Sequence, residues 1–64
     1  MPGVKVFGVS ESDGKTVAIA LQEAFLEWHA ENAHSEILTA QTTISYDPDD
    51  RTVHGVMTVL YREP

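Results

Sequence analysis

Three histidines, a cluster of aspartates and several serines are the side chains here with the chemistry for metal binding, proton transfer or nucleophilic attack. His29 and His34 stand five residues apart, which puts them on different sides of a helix, and there is no His-x3-His pair to grip an ion from one face. Asp47, Asp49 and Asp50 offer hard oxygens. A calcium loop needs a longer ligand series closed by a bidentate acid, so this trio reads as a solvated turn and no metal site is expected. Serine needs a paired base to act as a nucleophile, and the sequence shows none beside its serines. Glu23, Glu27 and Glu31, four apart, make an acidic helical ridge with mutual repulsion. His54 differs from the other histidines because it falls in a strand pattern, where it can be a ligand contact or a pH-sensitive interface group. No catalytic residue is assigned.

Between a strand pattern and a helix pattern, Gly8-Val9-Ser10-Glu11-Ser12-Asp13-Gly14-Lys15-Thr16 ends like a phosphate-binding loop. Such a loop needs four residues between its glycines, so that backbone N–H groups can curl round phosphate. Here five separate Gly8 from Gly14, and Glu11 and Asp13 would aim negative charge into the cradle. An acid-capped helix start fits better, with Ser10 or Ser12 as the cap and Asp13 in the first turn, where the dipole favours an acid.

Pro2 raises a different chemistry, because a secondary amine at a chain start can act as a general base if it is desolvated and near cations. A proline followed by a short strand, loop and helix resembles the tautomerase family, whose N-terminal proline is the general base. The resemblance runs from Pro2 through the helix. The arginines that would hold a carboxylated substrate are missing from the loop and second strand, since Arg51 and Arg62 fall in a turn and at the end of the third strand. Met1 in place would also block the amine.

The elements that must position these groups follow from periodicity. Val4 to Val9 reads as a first strand, with Gly8 as a candidate bulge, and about Gly14 to Glu31 as a helix. At 100° steps Val17, Leu21, Ala24, Phe25 and Trp28 form the core stripe, while Ile19, Leu26 and Ala30 cluster nearly opposite as a weaker apolar patch. Ile37 to Tyr46 alternates, placing Leu38, Ala40, Thr42, Ile44 and Tyr46 on one face. Asp47-Pro48-Asp49-Asp50 suits a type I turn, and Val53 to Arg62 supplies the third strand. An even-length loop pairs the Leu38/Ile44/Tyr46 face with Gly55, Met57, Val59 and Tyr61.

The fold expected is α+β: one β-α-β-β domain over residues 1–64, a three-stranded antiparallel sheet of order 1-3-2, and the helix on one face. The other face then carries Thr39, Gln41 and Thr43 with His54, Val56, Thr58 and Leu60. A mixture of threonine, glutamine and histidine with a few aliphatics suits a wet interface or an oligomer lumen. The chain has 64 residues and no cysteine, so disulfides cannot compensate for a core that buries only about 60% of the unfolded surface. Self-association is the remaining route to stability. Ten acids against four bases give a net charge of −6, which excludes a basic footprint for nucleic acid or anionic membrane. With no apolar run of about 18 residues and no basic leader, a soluble cytoplasmic chain is expected.

Taken whole, a strand ending Gly8-Val9-Ser10, one helix, and two long alternating strands joined by an acidic turn resemble the dodecins. The layout is also similar to a group of small sporulation-associated proteins of unknown activity. Dodecins assemble into hollow dodecamers and store flavins in pairs between subunits. The resemblance therefore implies a homo-oligomer with an interfacial ligand, flavin being the family's own. The flavin-stacking tryptophan of that family aligns near Thr39 and its flavin-binding glutamine at His54 or Thr58, so neither residue is kept; Gln41 is a neighbour.

The function expected is a non-catalytic, homo-oligomeric binding or storage protein holding a small, aromatic or flavin-like ligand between subunits. Thr39, Gln41, Thr43, His54 and Thr58 are the ligand or lumen candidates; Ile19, Leu26, Ala30, Val56 and Leu60 are the subunit-contact candidates. The alternative is a protein-interaction module presenting the sheet face or an edge to a larger partner. An N-terminal-proline tautomerase stands third.

Overall fold

The three alternating segments pair as their parity requires. The computed structural model describes residues 2–64; Met1, on which the blocking of the proline amine turns, lies outside the described residues. The elements are β1 (Pro2–Glu11), α1 (Gly14–Glu31), β2 (Glu36–Asp47) and β3 (Thr52–Arg62). The sheet order is β1-β3-β2, with both pairings antiparallel and α1 packed on β1 and β3. The first strand outruns its expected span because pairing continues from Pro2 opposite Arg62 to Glu11 opposite Val53, without a bulge at Gly8.

Asp13 caps α1, rather than Ser10 or Ser12. Its Oδ1 accepts from the Thr16 N–H at 2.8 Å and its Oδ2 from the Thr16 hydroxyl at 3.0 Å, which satisfies a helix donor that would otherwise have no partner. These hydrogen bonds, the backbone one foremost, hold the Asp13 carboxyl below its ordinary value of 3.8. The helix ends at Asn32, whose side-chain amide donates to the Trp28 carbonyl at 2.9 Å. In the following hairpin, Asp47 Oδ1 accepts from the Asp49 N–H at 3.0 Å and Arg51 takes a left-handed φ of 53°, closing a loop that sets Asp47 opposite Thr52.

Val17 and Leu21 of α1 and Val59 of β3 are fully buried. Beneath them lies Gly55, where a Cβ would sit inside van der Waals contact with Val17 Cγ1 and 3.0 Å from Leu21 Cδ1. The missing side chain lets the helix come down onto the central strand. Toward the other end of α1 the packing is aromatic. The Trp28 ring meets Tyr61 edge-on at 5.0 Å and Phe7 at 6.1 Å, and Tyr61 lies across Gly3, where a Cβ would fall 2.5 Å from the ring.

One expectation about the core is corrected. Leu38, Ile44 and Tyr46 were expected under the helix, yet all three are exposed, Ile44 at 50% and Tyr46 at 59%. A helix is about 10 Å across and strands lie about 4.8 Å apart, so a single helix roofs two strands of three. β2 is the strand left out. A register shift between Ile37 and Thr39 makes Leu38 the extra residue of a bulge and turns Ile37, expected on the opposite face, toward Tyr61. The result is a long slab, 44 × 17 × 12 Å, with a radius of gyration of 13.0 Å against about 10.7 Å for a compact chain of this length.

Candidate functional site

The sheet face turned away from α1 is built in cross-strand rows. Thr39, Leu60 and Val4 make one row; Gln41, Thr58 and Val6 the next; then Thr43, Val56 and Gly8; and last Ser45, His54 and Ser10. Opposite residues on neighbouring strands bring their Cβ atoms to about 4.5–5.5 Å, so each row is a continuous contact surface. All five ligand or lumen candidates, Thr39, Gln41, Thr43, His54 and Thr58, stand on this face, with Gln41 directly beside Thr58. Val56 and Leu60, two of the subunit-contact candidates, stand among them.

The other three, Ile19, Leu26 and Ala30, are exposed on the outward side of α1, opposite in phase to buried Leu21. The candidates therefore divide between the two broad sides of the slab.

Sequence reasoning missed two contributors to the open face. Val4 and Val6 are 59% and 56% exposed there and join Val56 and Leu60 into an apolar half, against the polar half supplied by β2. The signal was present: Val4-Lys5-Val6-Phe7 alternates, and pairing with β3 sends the even residues to the open side.

The second omission is a base for a serine. Ser10 Oγ and His54 Nδ1 share a hydrogen bond of 2.7 Å whose direction follows the imidazole tautomer. The pair spans 44 residues of sequence, and only the β1–β3 register reveals it. A serine–histidine contact can begin to activate a hydroxyl, but a nucleophilic centre also needs a group that orients the imidazole. Among the described residues no carboxylate hydrogen-bonds to the His54 ring. At the opposite end, Arg62 approaches Glu36 at 3.7 Å, an exposed pair of little energetic weight.

Among the described residues no group of three or more acidic, histidine or cysteine side chains is placed to hold a metal ion, and no ligand-sized cavity is present. No helix among them is long and apolar enough to cross a membrane. The architecture is that of a small α+β protein with one helix on an open three-stranded sheet. No family model, curated protein or solved structure matches the chain.

Proposed function

We propose that the chain is a non-catalytic homo-oligomeric binding or storage protein, dodecin-like in layout, whose open sheet face is shared between subunits and holds any small ligand there. The observation that carries this reading is the surface left bare. The protomer exposes 4560 Å², against about 4,100 Å² for a folded monomer of 7.1 kDa. Much of it is apolar, with Val4, Val6, Val56 and Leu60 adjacent on one flat face. Contiguous apolar surface of this kind marks interaction sites. A flat face encloses nothing, so enclosure of a small molecule requires a second subunit as its lid.

Flavin, which the dodecin resemblance implies, fits these residues poorly. Stacking needs a flat aromatic wall, whereas Thr39 and Thr58 supply hydroxyls and His54 is, among the described residues, the one aromatic ring on this face. The face suits a ligand with an apolar side against Val6 and Leu60 and hydrogen-bonding groups toward Gln41 and Thr58.

Native mass spectrometry of protein purified without denaturation tests the reading. A closed assembly is expected, and any co-purified ligand appears as added mass. Thr58→Arg, which sets a charge between Val6 and Gln41, should reduce the assembly while leaving the circular dichroism spectrum unchanged. A bare wild-type monomer would move the function to a module that binds a larger partner.

A further inference from the structure

We infer that two copies of this chain join through the outer edge of β2, antiparallel about a two-fold axis at Thr43, to make one six-stranded sheet. The inference rests on the oligomeric reading above and names a different contact from the open face.

The sheet has two outer edges, and they are not alike. β1 carries Pro2, Lys5, Glu11 and two glycines, Gly3 and Gly8, the residue types that blunt an edge. In β2 the ten residues from Ile37 to Tyr46 contain no charge, proline or glycine, so its unpaired N–H and C=O groups are left as an open template. β2 is also the strand that α1 fails to roof, and its apolar Ile44 and Tyr46 stand exposed on the helix side.

The occupant that fits is a second β2. A two-fold axis normal to the sheet sets odd residues against odd and even against even, so the open faces of both copies form one surface and both helices lie on the other. The bulge at Leu38 limits the regular ladder to the nine residues from Thr39 to Asp47, and their midpoint is Thr43. Centred there, all nine pair. Gln41 meets Ser45 of the second copy, Ala40 meets Tyr46, Thr42 meets Ile44, and Thr39 meets Asp47, so within the nine-residue ladder no two acids face each other.

The chain has no cysteine, which makes single-cysteine variants clean reporters. In the proposed pairing the two Cα atoms at position 43 lie about 4.5–5.5 Å apart, within disulfide reach. At position 41 they are about 14 Å apart, out of reach. Thr43→Cys and Gln41→Cys both alter exposed side chains, so the fold should tolerate each. Under mild oxidation Thr43→Cys should give crosslinked dimer in clear excess over Gln41→Cys, whose thiols the pairing leaves out of reach of each other. Equal yields, or a maximum elsewhere on β2, would overturn pairing about Thr43. An assembly seen by native mass spectrometry with no crosslink at any β2 position would overturn edge pairing and leave the oligomeric reading standing. A wild-type monomer would overturn both.

Discussion

Replacing Gly55 by alanine is the most informative single change, because it adds one methyl group at the tightest helix–sheet contact. The new Cβ would collide with Val17 Cγ1 and press on Leu21 Cδ1 at 3.0 Å. Valine is held to essentially one rotamer in a helix, so Val17 cannot swing clear and α1 must lift from β3. Overpacking of this kind costs about 1–3 kcal/mol. Loss of glycine's freedom in the unfolded chain offsets about 0.4–1 kcal/mol of that. A net loss of about 1–2 kcal/mol remains, from a total stability of roughly 3–10 kcal/mol for 64 residues. At about 4–8 °C per kcal/mol, Tm should fall by roughly 5–15 °C in thermal unfolding followed by circular dichroism. Protein concentration must be held fixed, since association would shift Tm by mass action.

Gly8→Ala is the control, because nothing lies within 4 Å of a Cβ at that exposed position and the change should stabilise by a few tenths of a kcal/mol or more. Combining Gly55→Ala with Val17→Ala removes the colliding methyl, so the double variant should be about 1 kcal/mol more stable than the sum of the single losses. A Gly55→Ala protein as stable as wild type, or strict additivity with Val17→Ala, would refute the claim that glycine at this position sets the helix height.

Two further outcomes follow from the ends of α1. Tyr61→Ala uncovers Gly3 and removes the edge contact to Trp28, so it should cost about 2 kcal/mol in urea unfolding and shift the Trp28 emission toward that of solvated indole. The Asp13 carboxyl is held below 3.8 in the folded chain, so its contribution is fully present above that pH and is lost as pH falls through the lower folded value. Wild type should therefore lose more of its urea midpoint between pH 5 and acid than Asp13→Asn does; parallel curves would show that the cap is not charge-dependent.

The topology was legible because strand alternation and the Asp47–Asp50 turn act over a few residues. Once the loop between β2 and β3 has an even length, parity alone puts Ile44 on the face of Gly55 and Gln41 on that of Thr58, as the observed register does. For the same reason Thr39, Gln41, Thr43, His54 and Thr58 could be assigned to one face without coordinates. What parity cannot supply is lateral position. Nothing in the sequence says which two strands a lone helix covers, and so Ile44 and Tyr46 looked like core. The bulge at Leu38 carries no glycine or proline to announce it. Asp13 outcompeted the two serines as cap for a reason visible only in three dimensions, the reach of both its oxygens to Thr16. The Ser10–His54 contact needed the β1–β3 register, which is set by the whole sheet.

The sheet order also bears on how the chain reaches its native state. β3, the last of the three strands in chain order, is the middle of the sheet, and β1 meets only β3 within it, through pairs as distant in sequence as Pro2 and Arg62. β1 and α1 therefore emerge with no strand to pair against, while the β2–β3 hairpin can close locally around its turn. Such long-range closure is slow for a chain of this size, because loop entropy is lost before the contacts form. During that interval Val17 and Leu21, buried in the folded chain, are in water, and the hairpin presents the side of β3 that β1 later covers as well as the outer edge of β2. Nascent chains are thus at greatest risk of mispairing just before β1 docks on β3, and anything that holds β1 and α1 apart from other chains until β3 is complete should raise the yield of folded protein.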